Sequence, residues 1–353
     1  MIKRLKNLLT LKKRAKEKRP EIGSTPVDVV HRENKWRLLH YRARNAGPTY
    51  KTPLLMVPSL INRHYVLDLM PGRSFAEWLV EQGHDVYCID WGTPADEDRY
   101  LSFDDICEGY IGRAVRKVAR RSPTGKTHLL GYCLGGTLTT IYAAAHQEHL
   151  AGHIALAAPV SFDDDGLLSH WTKTSTFDVA GIVEACGNVP WQLMQGAFHL
   201  LRPTMNLSKT VYLVDRAWDD QFLDGFVAKE TWANDNVSFP GEAYRRYIEE
   251  LYQHNKLIKG EFALAGRPVR LEDIENPTLA IAFKHDNIVP LDSAGVLVDR
   301  ISSKDKKLME LPGGHVGAVV SRKSSEHLWP VISGWLAERD VAAVRPEAVE
   351  AAE

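Results

Sequence analysis

The sequence has few cysteines, no long apolar segment and almost no net charge. Its four cysteines, Cys88, Cys107, Cys133 and Cys186, are too few and too scattered for a disulfide framework, and none forms a C-x-x-C zinc pair. No stretch approaches the roughly 20 apolar residues that span a bilayer, and the first residues lack the apolar core of a secretory signal. We therefore expect a cytoplasmic protein without a transmembrane segment or a metal site.

The net charge of −1 conceals an uneven distribution. The first twenty residues hold nine Lys or Arg and a single acid, Glu17, so the remainder is mildly acidic, which argues against nucleic-acid binding by the body of the protein. Ile2, Leu5 and Leu9 share one helical face among these basic residues. Residues 1–26 are thus either a basic amphipathic leader that lies on an apolar surface or a frayed, solvated segment.

After the leader, short apolar runs alternate with helical segments. Residues 27–40 are typical of strands that open the domain. The alternation beyond them indicates an α/β fold, with a mostly parallel sheet covered by helices on both faces. Ser102 is expected to cap one of these helices. The strands predicted for the parallel sheet are residues 54–57, 85–89, 128–130, 153–157, 278–283 and 307–311.

The regular alternation stops after Pro159. Residues 160–276 are rich in aromatic side chains and short helical patches, and only 211–214 could be another strand. We interpret this segment as a cap inserted into the core, which then comprises residues 27–159 and 277–340, followed by a flexible tail at 341–353. Most of the cap's tryptophans are expected to form its own core; these are Trp171, Trp191, Trp218 and Trp232.

The segment around Cys133 carries the clearest chemical signal. An apolar strand runs into Gly131-Tyr-Cys133-Leu-Gly135 and then into a helix-forming stretch. This is the nucleophile-elbow pattern with cysteine in place of serine, in which the flanking glycines relieve crowding at a sharp turn. The positive end of the following helix favours the thiolate. Cys133 is therefore the predicted nucleophile, whereas the other three cysteines lack such glycines and are interpreted as inert.

An elbow nucleophile needs a base and an orienting acid, which follow it in the chain after later strands. Asp286 follows the predicted strand 278–283, and His315 lies in a glycine-rich loop after 307–311. We predict that His315 moves the protons while Asp286 orients its ring. Two competing residues remain, since His285 adjoins Asp286 and Asp90 ends another predicted strand.

A tetrahedral oxyanion also needs backbone donors that already point at it. The amide of Leu134, directly after the nucleophile, is one candidate. Ile61, in the loop after the first central strand, is the other, although this loop could also be a plain connection.

These motifs resemble those of polyhydroxyalkanoate synthases, above all the short catalytic subunits of two-component types, from about residue 31 to 336. Similar segments are the loop at 58–69, the nucleophile box at 131–136 and the cap stretches 232–241 and 251–257. The triad segments at 286–290 and 313–317 complete the resemblance. The resemblance implies an α/β-hydrolase fold with an inserted cap, and Cys133, Asp286 and His315 as catalytic residues.

The resemblance also implies a reaction. The substrates would be (R)-3-hydroxyacyl-CoA thioesters, such as 3-hydroxybutyryl-CoA, and the product a growing polyester made at a granule surface with release of CoA and no further cofactor. The short chain points to a second synthase subunit, and a homodimer is compatible with it. Two alternatives remain: a thioesterase or esterase of the same fold, with water as acceptor, and a noncatalytic granule or partner-binding protein.

Overall fold

The computed structural model describes residues 2–17, 21–42, 47–201 and 205–340. Eight strands form the main sheet, and two more form a small hairpin. The strands are β1 (Val27–Glu33), β2 (Trp36–Tyr41), β3 (Leu54–Val57), β4 (Val86–Asp90), β5 (Thr127–Tyr132), β6 (Leu150–Leu156), β7 (Ala263–Leu264), β8 (Arg267–Pro268), β9 (Thr278–Phe283) and β10 (Lys306–Leu311).

The main sheet has the strand order β1-β2-β4-β3-β5-β6-β9-β10. β1 pairs antiparallel with β2, and β2 pairs antiparallel with β4. The six strands β4, β3, β5, β6, β9 and β10 are parallel to one another. Every residue of β3, β4, β5 and β9 is buried, as expected of strands covered on both faces. The α/β class and all six predicted parallel strands are thereby confirmed.

β3 lies between β4 and β5 in the sheet. The chain therefore crosses from β3 to β4 in one direction and then from β4 back past β3 to β5 in the other. Ligands of open α/β sheets bind beyond the carboxyl ends of the strands at such a reversal. The loop after β3 and the turn after β5 meet there, since Val57 pairs with Gly131. This topology brings the predicted nucleophile and the loop of Ile61 to one edge of the sheet.

Helices cover both faces of the sheet, and two π-helical segments, Asp105–Ile111 and Tyr247–Gln253, interrupt them. The α-helices are α1 (Ile2–Glu17), α2 (Phe75–Glu81), α3 (Gly112–Arg121), α4 (Leu134–Ala145), α5 (Leu167–Thr172), α6 (Val179–Cys186), α7 (Trp191–Leu200), α8 (Met205–Arg216), α9 (Asp220–Ala233), α10 (Gly241–Arg246), α11 (Lys256–Lys259), α12 (Leu291–Gly295), α13 (Leu297–Arg300), α14 (Gly317–Val320), α15 (Ser324–His327) and α16 (Trp329–Glu338).

Helices α5 to α11 and the hairpin separate β6 from β9. The candidate strand at 211–214 was wrong, because these residues belong to α8. Its β-branched residues do not enter a sheet, and Val211 is 62% exposed. Trp232 is buried as expected of a core residue, but Trp218 is 52% exposed.

Helix α1 contains most of the described part of the basic leader, and it contacts the helices of this inserted segment. Lys3 pairs with Asp220 at 3.0 Å, and the Asn7 side chain donates to the carbonyl of Ala217 at 2.8 Å. The predicted tail, 341–353, lies outside the described residues, as do residues 18–20 of the leader. Across the described ranges, no helix combines the length and apolar character needed to cross a membrane.

Candidate active site

Cys133 occupies a strained turn between β5 and α4. Its φ is +56° and its ψ −130°, a conformation that a non-glycine residue rarely adopts. A Cβ on Gly131 would lie 2.2 Å from Thr139 Oγ1, and one on Gly135 only 2.1 Å from the carbonyl oxygen of Val57. The glycines are thus required because the helix packs directly against the strand and against the start of the loop after β3.

The structure brings His315 and Asp286 into direct contact. His315 Nδ1 and Asp286 Oδ2 are 2.7 Å apart, and their side chains are only 6% and 1% exposed. The other carboxylate oxygen, Oδ1, accepts the amides of Ile288 at 2.9 Å and Val289 at 3.0 Å. Asp286 is therefore held by its own loop and can orient the imidazole.

His315 also interacts with the sulfur of Cys133. Burial alone lowers the pKa of His315, but electrostatic interactions with Cys133 and Asp286 and the hydrogen bond to Asp286 outweigh it and raise the pKa to about 10. Nε2 of the ring is buried without a well-aligned partner among the described residues, which leaves room for a reacting atom. At neutral pH this raised pKa favours the protonated imidazolium form of His315.

Tyr132 contacts both the ring and the backbone of His315, and the sequence analysis did not identify it. Its ring stacks on the imidazole, with centroids 5.3 Å apart, and its hydroxyl donates to the carbonyl of His315 at 3.3 Å. The only sequence signal was its position directly before the nucleophile. Tyr132 thus fixes both the ring and the backbone of the base.

A cavity of about 460 Å³ opens onto Cys133 and His315. The loop after β3 and the inserted segment contribute its other walls, which include Phe198, Trp232 and Lys229. Cys133 itself is half-buried and packs against the hydrophobic cores on both faces of the sheet. A pocket of this size admits an acyl thioester arm to the sulfur.

The two candidate oxyanion donors differ in whether their amides already form a hydrogen bond. The amide of Leu134 belongs to the first turn of α4, where backbone N–H groups have no partner inside the helix. The amide of Ile61 donates to Ser59 Oγ at 3.3 Å, so it would have to exchange that long hydrogen bond for a substrate oxygen. Both residues lie beside the Cys133 turn, since Leu134 follows Cys133 in the chain and Ile61 lines the same cavity.

The competing residues lie elsewhere or are engaged otherwise. Asp90 binds Arg37 and, at 3.1 Å, His64. Burial alone would raise the pKa of Asp90, but these two partners hold it well below its usual range. His285 is exposed at the cavity rim, within the turn that follows β9, while the Asp286 side chain is directed at His315.

A group of contacts that the sequence analysis missed ties residues 232–237 to the loop after β3; we call it the cap latch. Asp235 accepts from Arg63 at 3.1 Å and from the Tyr65 hydroxyl at 2.6 Å. Trp232 Nε1 donates to the carbonyl of Arg63 at 3.0 Å, and the amide of Val237 donates to that of Ile61 at 3.2 Å. The latch holds the inserted segment over the Cys133 cavity.

Comparison with known proteins assigns the class and the family. The sequence matches the family described as alpha/beta hydrolase fold over residues 52–320, so the chain is an α/β-hydrolase-fold protein. Residues 5–79 match the family described as Poly-beta-hydroxybutyrate polymerase (PhaC) N-terminus. The chain belongs to the family of poly(3-hydroxyalkanoate) polymerase subunits PhaC, which are enzymes of the acyltransferase type.

Three relatives with that printed name illustrate the similarity. The protein of Haloferax mediterranei is 39% identical over 90% of this chain, which spans 65% of that relative's length. The protein of Haloarcula marismortui is 36% identical, over 94% of this chain and 73% of the relative. For Allochromatium vinosum the identity is 36%, over 90% of each chain. The family predicted from the motifs is thus confirmed.

Solved structures show the same fold at low identity. A thermophilic esterase from Thermogutta terrifontis superimposes with a TM-score of 0.55 at 14% identity, covering 89% of this chain and 98% of the esterase. A hydrolase from Pseudomonas aeruginosa gives a TM-score of 0.51 at 15% identity, covering 90% and 98%. These similarities confirm the α/β-hydrolase fold.

Proposed function

We propose that this protein polymerises (R)-3-hydroxyacyl-CoA, with 3-hydroxybutyryl-CoA as the reference substrate, through an acyl-thioester on Cys133. One observation carries the proposal: the 2.7 Å contact of His315 with Asp286 lies in the same cavity as the strained Cys133 turn, in a member of the polymerase family. The catalytic residues are Cys133, His315 and Asp286.

In the first half-reaction the Cys133 thiolate attacks the thioester carbonyl of the substrate. The Leu134 amide, and that of Ile61 once it leaves Ser59, donate to the oxyanion. As the tetrahedral intermediate collapses, the C–S bond to CoA breaks and His315 gives its Nε2 proton to the departing thiolate. Free CoA leaves, and the neutral imidazole remains beside an acyl-Cys133.

In the second half-reaction the neutral His315 takes the proton of a hydroxyl group on a second hydroxyacyl unit. The hydroxyl oxygen attacks acyl-Cys133, an ester bond forms, and the Cys133 sulfur leaves as the thiolate. Asp286 supports the imidazolium through Nδ1 in both halves. The enzyme returns to its starting charge state, so repetition of the cycle lengthens the polyester.

Water competes with the hydroxyl for the same acyl-enzyme. The cap latch and the buried aromatic residues around Cys133, including Phe162, Tyr247 and Tyr252, support a site from which bulk water is largely excluded. This environment favours polymer over hydrolysis, and it separates the proposed activity from that of a thioesterase.

The proposal includes partners and place. Its substrates are hydroxyacyl-CoA and the growing chain, and we propose a second synthase subunit as partner and the cytoplasmic polymer granule as the site of action. Such a neighbour could contact the surface formed by α1, α8 and the connection between α8 and α9. This surface includes the basic residues of α1 and the exposed side chains of Leu9, Tyr212 and Trp218.

Incubation of the purified protein with (R)-3-hydroxybutyryl-CoA tests the function, alone and with a candidate second subunit. We expect CoA release together with an insoluble ester chain, and a mass increase of one hydroxybutyryl group on the peptide that contains Cys133. Soluble 3-hydroxybutyrate as the main product would instead identify a thioesterase. A wild-type protein that releases no CoA under either condition would refute the enzymatic proposal.

A further inference from the structure

Lys229 is a half-buried cation in the wall of the Cys133 cavity, and the proposed chemistry does not use it. It lies on α9 and lines the same space as Cys133 and His315. Burial is the largest influence on Lys229 and lowers the pKa of its ammonium. Within the described ranges its ammonium forms neither a hydrogen bond nor an ion pair. A desolvated charge of this kind is costly unless an anion joins it.

The charges around Lys229 are mainly positive. Lys209 and Arg73 lie near enough to oppose its protonation, and Glu230 is the acid that favours it. Glu230, however, is already paired with Lys209 at 2.8 Å. The nearest carboxylate is therefore committed to another lysine, and an incoming anion would meet an excess of positive charge at this wall.

Resting on the proposed function, we infer that Lys229 binds the diphosphate of the CoA substrate while the thioester reaches Cys133. CoA contains, in order from its sulfur, the pantetheine arm, the diphosphate and the adenosine with its 3′-phosphate. The diphosphate is thus the first anion outward from the reacting sulfur. A cavity of about 460 Å³ has room for the arm but not for the whole cofactor, so the diphosphate is expected at its wall.

Lysine is suited to this role because it contacts phosphate oxygens as a compact point charge on a flexible stem. The interaction would position the substrate and would not take part in bond making. Lys229 is therefore a binding residue, and its loss should weaken binding without changing the chemistry at the sulfur.

Equilibrium binding of CoA, dephospho-CoA and pantetheine to the full-length protein tests the inference. In Lys229→Met, which keeps the length of the stem and removes the charge, we expect CoA and dephospho-CoA each to bind about tenfold more weakly, ~1.4 kcal/mol. Pantetheine, which lacks phosphate, should bind equally to both proteins. Lys229→Arg should restore most of the affinity, and Lys117→Met, a half-buried helical lysine outside the cavity, should leave it unchanged.

The wild type alone provides a second measurement. Its affinity for CoA should fall as KCl is raised, while that for pantetheine should stay constant. Equal binding of CoA to wild type and Lys229→Met overturns the inference, and so does weaker binding of CoA with no change for dephospho-CoA. Polymer synthesis without any dependence on Lys229 overturns this inference alone, whereas Lys229-dependent CoA binding without polymer overturns the proposed function alone.

Discussion

His315 Nδ1 and Asp286 Oδ2 lie 2.7 Å apart, and both side chains are almost completely buried. Asp286 comes from the loop after β9 and His315 from the loop after β10, and the neighbouring parallel strands pair Phe283 with Leu311. The contact therefore depends on the register of two adjacent strands, and the position of the base follows from the sheet itself.

Replacement of the nucleophile tests the role of the sulfur. We expect Cys133→Ala to abolish CoA release, because no other group at this turn can carry the acyl chain. The protein should remain folded, since the side chain is half-buried and small, and circular dichroism checks this point. Cys186→Ala, at an exposed cysteine, is the matched control and should keep full turnover; equal rates in both variants would exclude Cys133.

Replacement of the base separates two neighbouring histidines. His315→Ala should lower kcat by roughly a thousandfold or more, because the residues of a triad act as a unit. His285→Ala removes an exposed imidazole at the rim and should change kcat by no more than a few fold. Steady-state CoA release measures both, and the reverse order of effects would transfer the role of base to His285.

A glycine pair tests how tightly the nucleophile turn is packed. Gly135→Ala would place a Cβ 2.1 Å from the Val57 carbonyl oxygen, and we expect a loss of ~3 kcal/mol or more in the free energy of unfolding. Gly334→Ala, within α16, meets no atom within 4 Å and should stabilise the protein by ~0.5–1 kcal/mol. Urea unfolding compares them; a neutral Gly135→Ala would contradict the close approach.

A buried histidine predicts sensitivity to acid. Burial lowers the pKa of His128 from 6.5 to about 3, and neither ring nitrogen has a partner among the described residues. As pH falls from 6.5 towards 3, the unfolded chain takes up a proton that the folded one does not, so stability declines. His128→Leu should flatten this decline by up to ~1.4 kcal/mol per pH unit in urea unfolding.

The exposed His170 provides the control for that experiment, because His170→Leu removes an imidazole from the surface and not from the core. Identical slopes for wild type and His128→Leu between pH 4 and 6 would show that His128 is not held neutral.

The cap latch predicts a change in product ratio. Asp235→Asn weakens the contacts to Arg63 and Tyr65, so water should reach acyl-Cys133 more easily. We expect the ratio of free 3-hydroxybutyrate to polymer to rise roughly threefold, ~0.6 kcal/mol. Chromatography of the soluble acid and weighing of the polymer measure it. Asp163→Asn, which loses a surface ion pair with Lys173, is the control. An equal rise in the ratio for this variant would show that the cap latch does not exclude water.

The sequence predicted those parts of the molecule whose structure follows directly from a local residue pattern. The buried strands, the Cys133 turn and the loops of Asp286 and His315 follow from apolar runs and flanking glycines. The helix expected after Ser102 is present and buries Ile106 and Val115, although a π-helical segment within it has no recognisable sequence signal. Such features depend on packing rather than on local propensity.

The inserted segment was less predictable because its contacts are long-range. Residues 211–214 have strand propensity but form part of α8, where Val211, Tyr212 and Val214 are exposed and no neighbouring strand in the described part of the chain is available to pair with them. The latch between Asp235 and Tyr65 joins residues far apart in the chain, and neither carries a motif. The amide of Ile61 could be placed near the nucleophile from topology, but its hydrogen bond to Ser59 could not.

The attachment of α1 to Asp220 and Ala217 has a consequence for biosynthesis. Because a ribosome makes the amino terminus first, the helix that begins at Ile2 emerges long before the residues it binds. Docking of α1 therefore has to follow synthesis of residues 217–220. Truncations that stop before residue 220 should therefore leave this segment open to proteolysis.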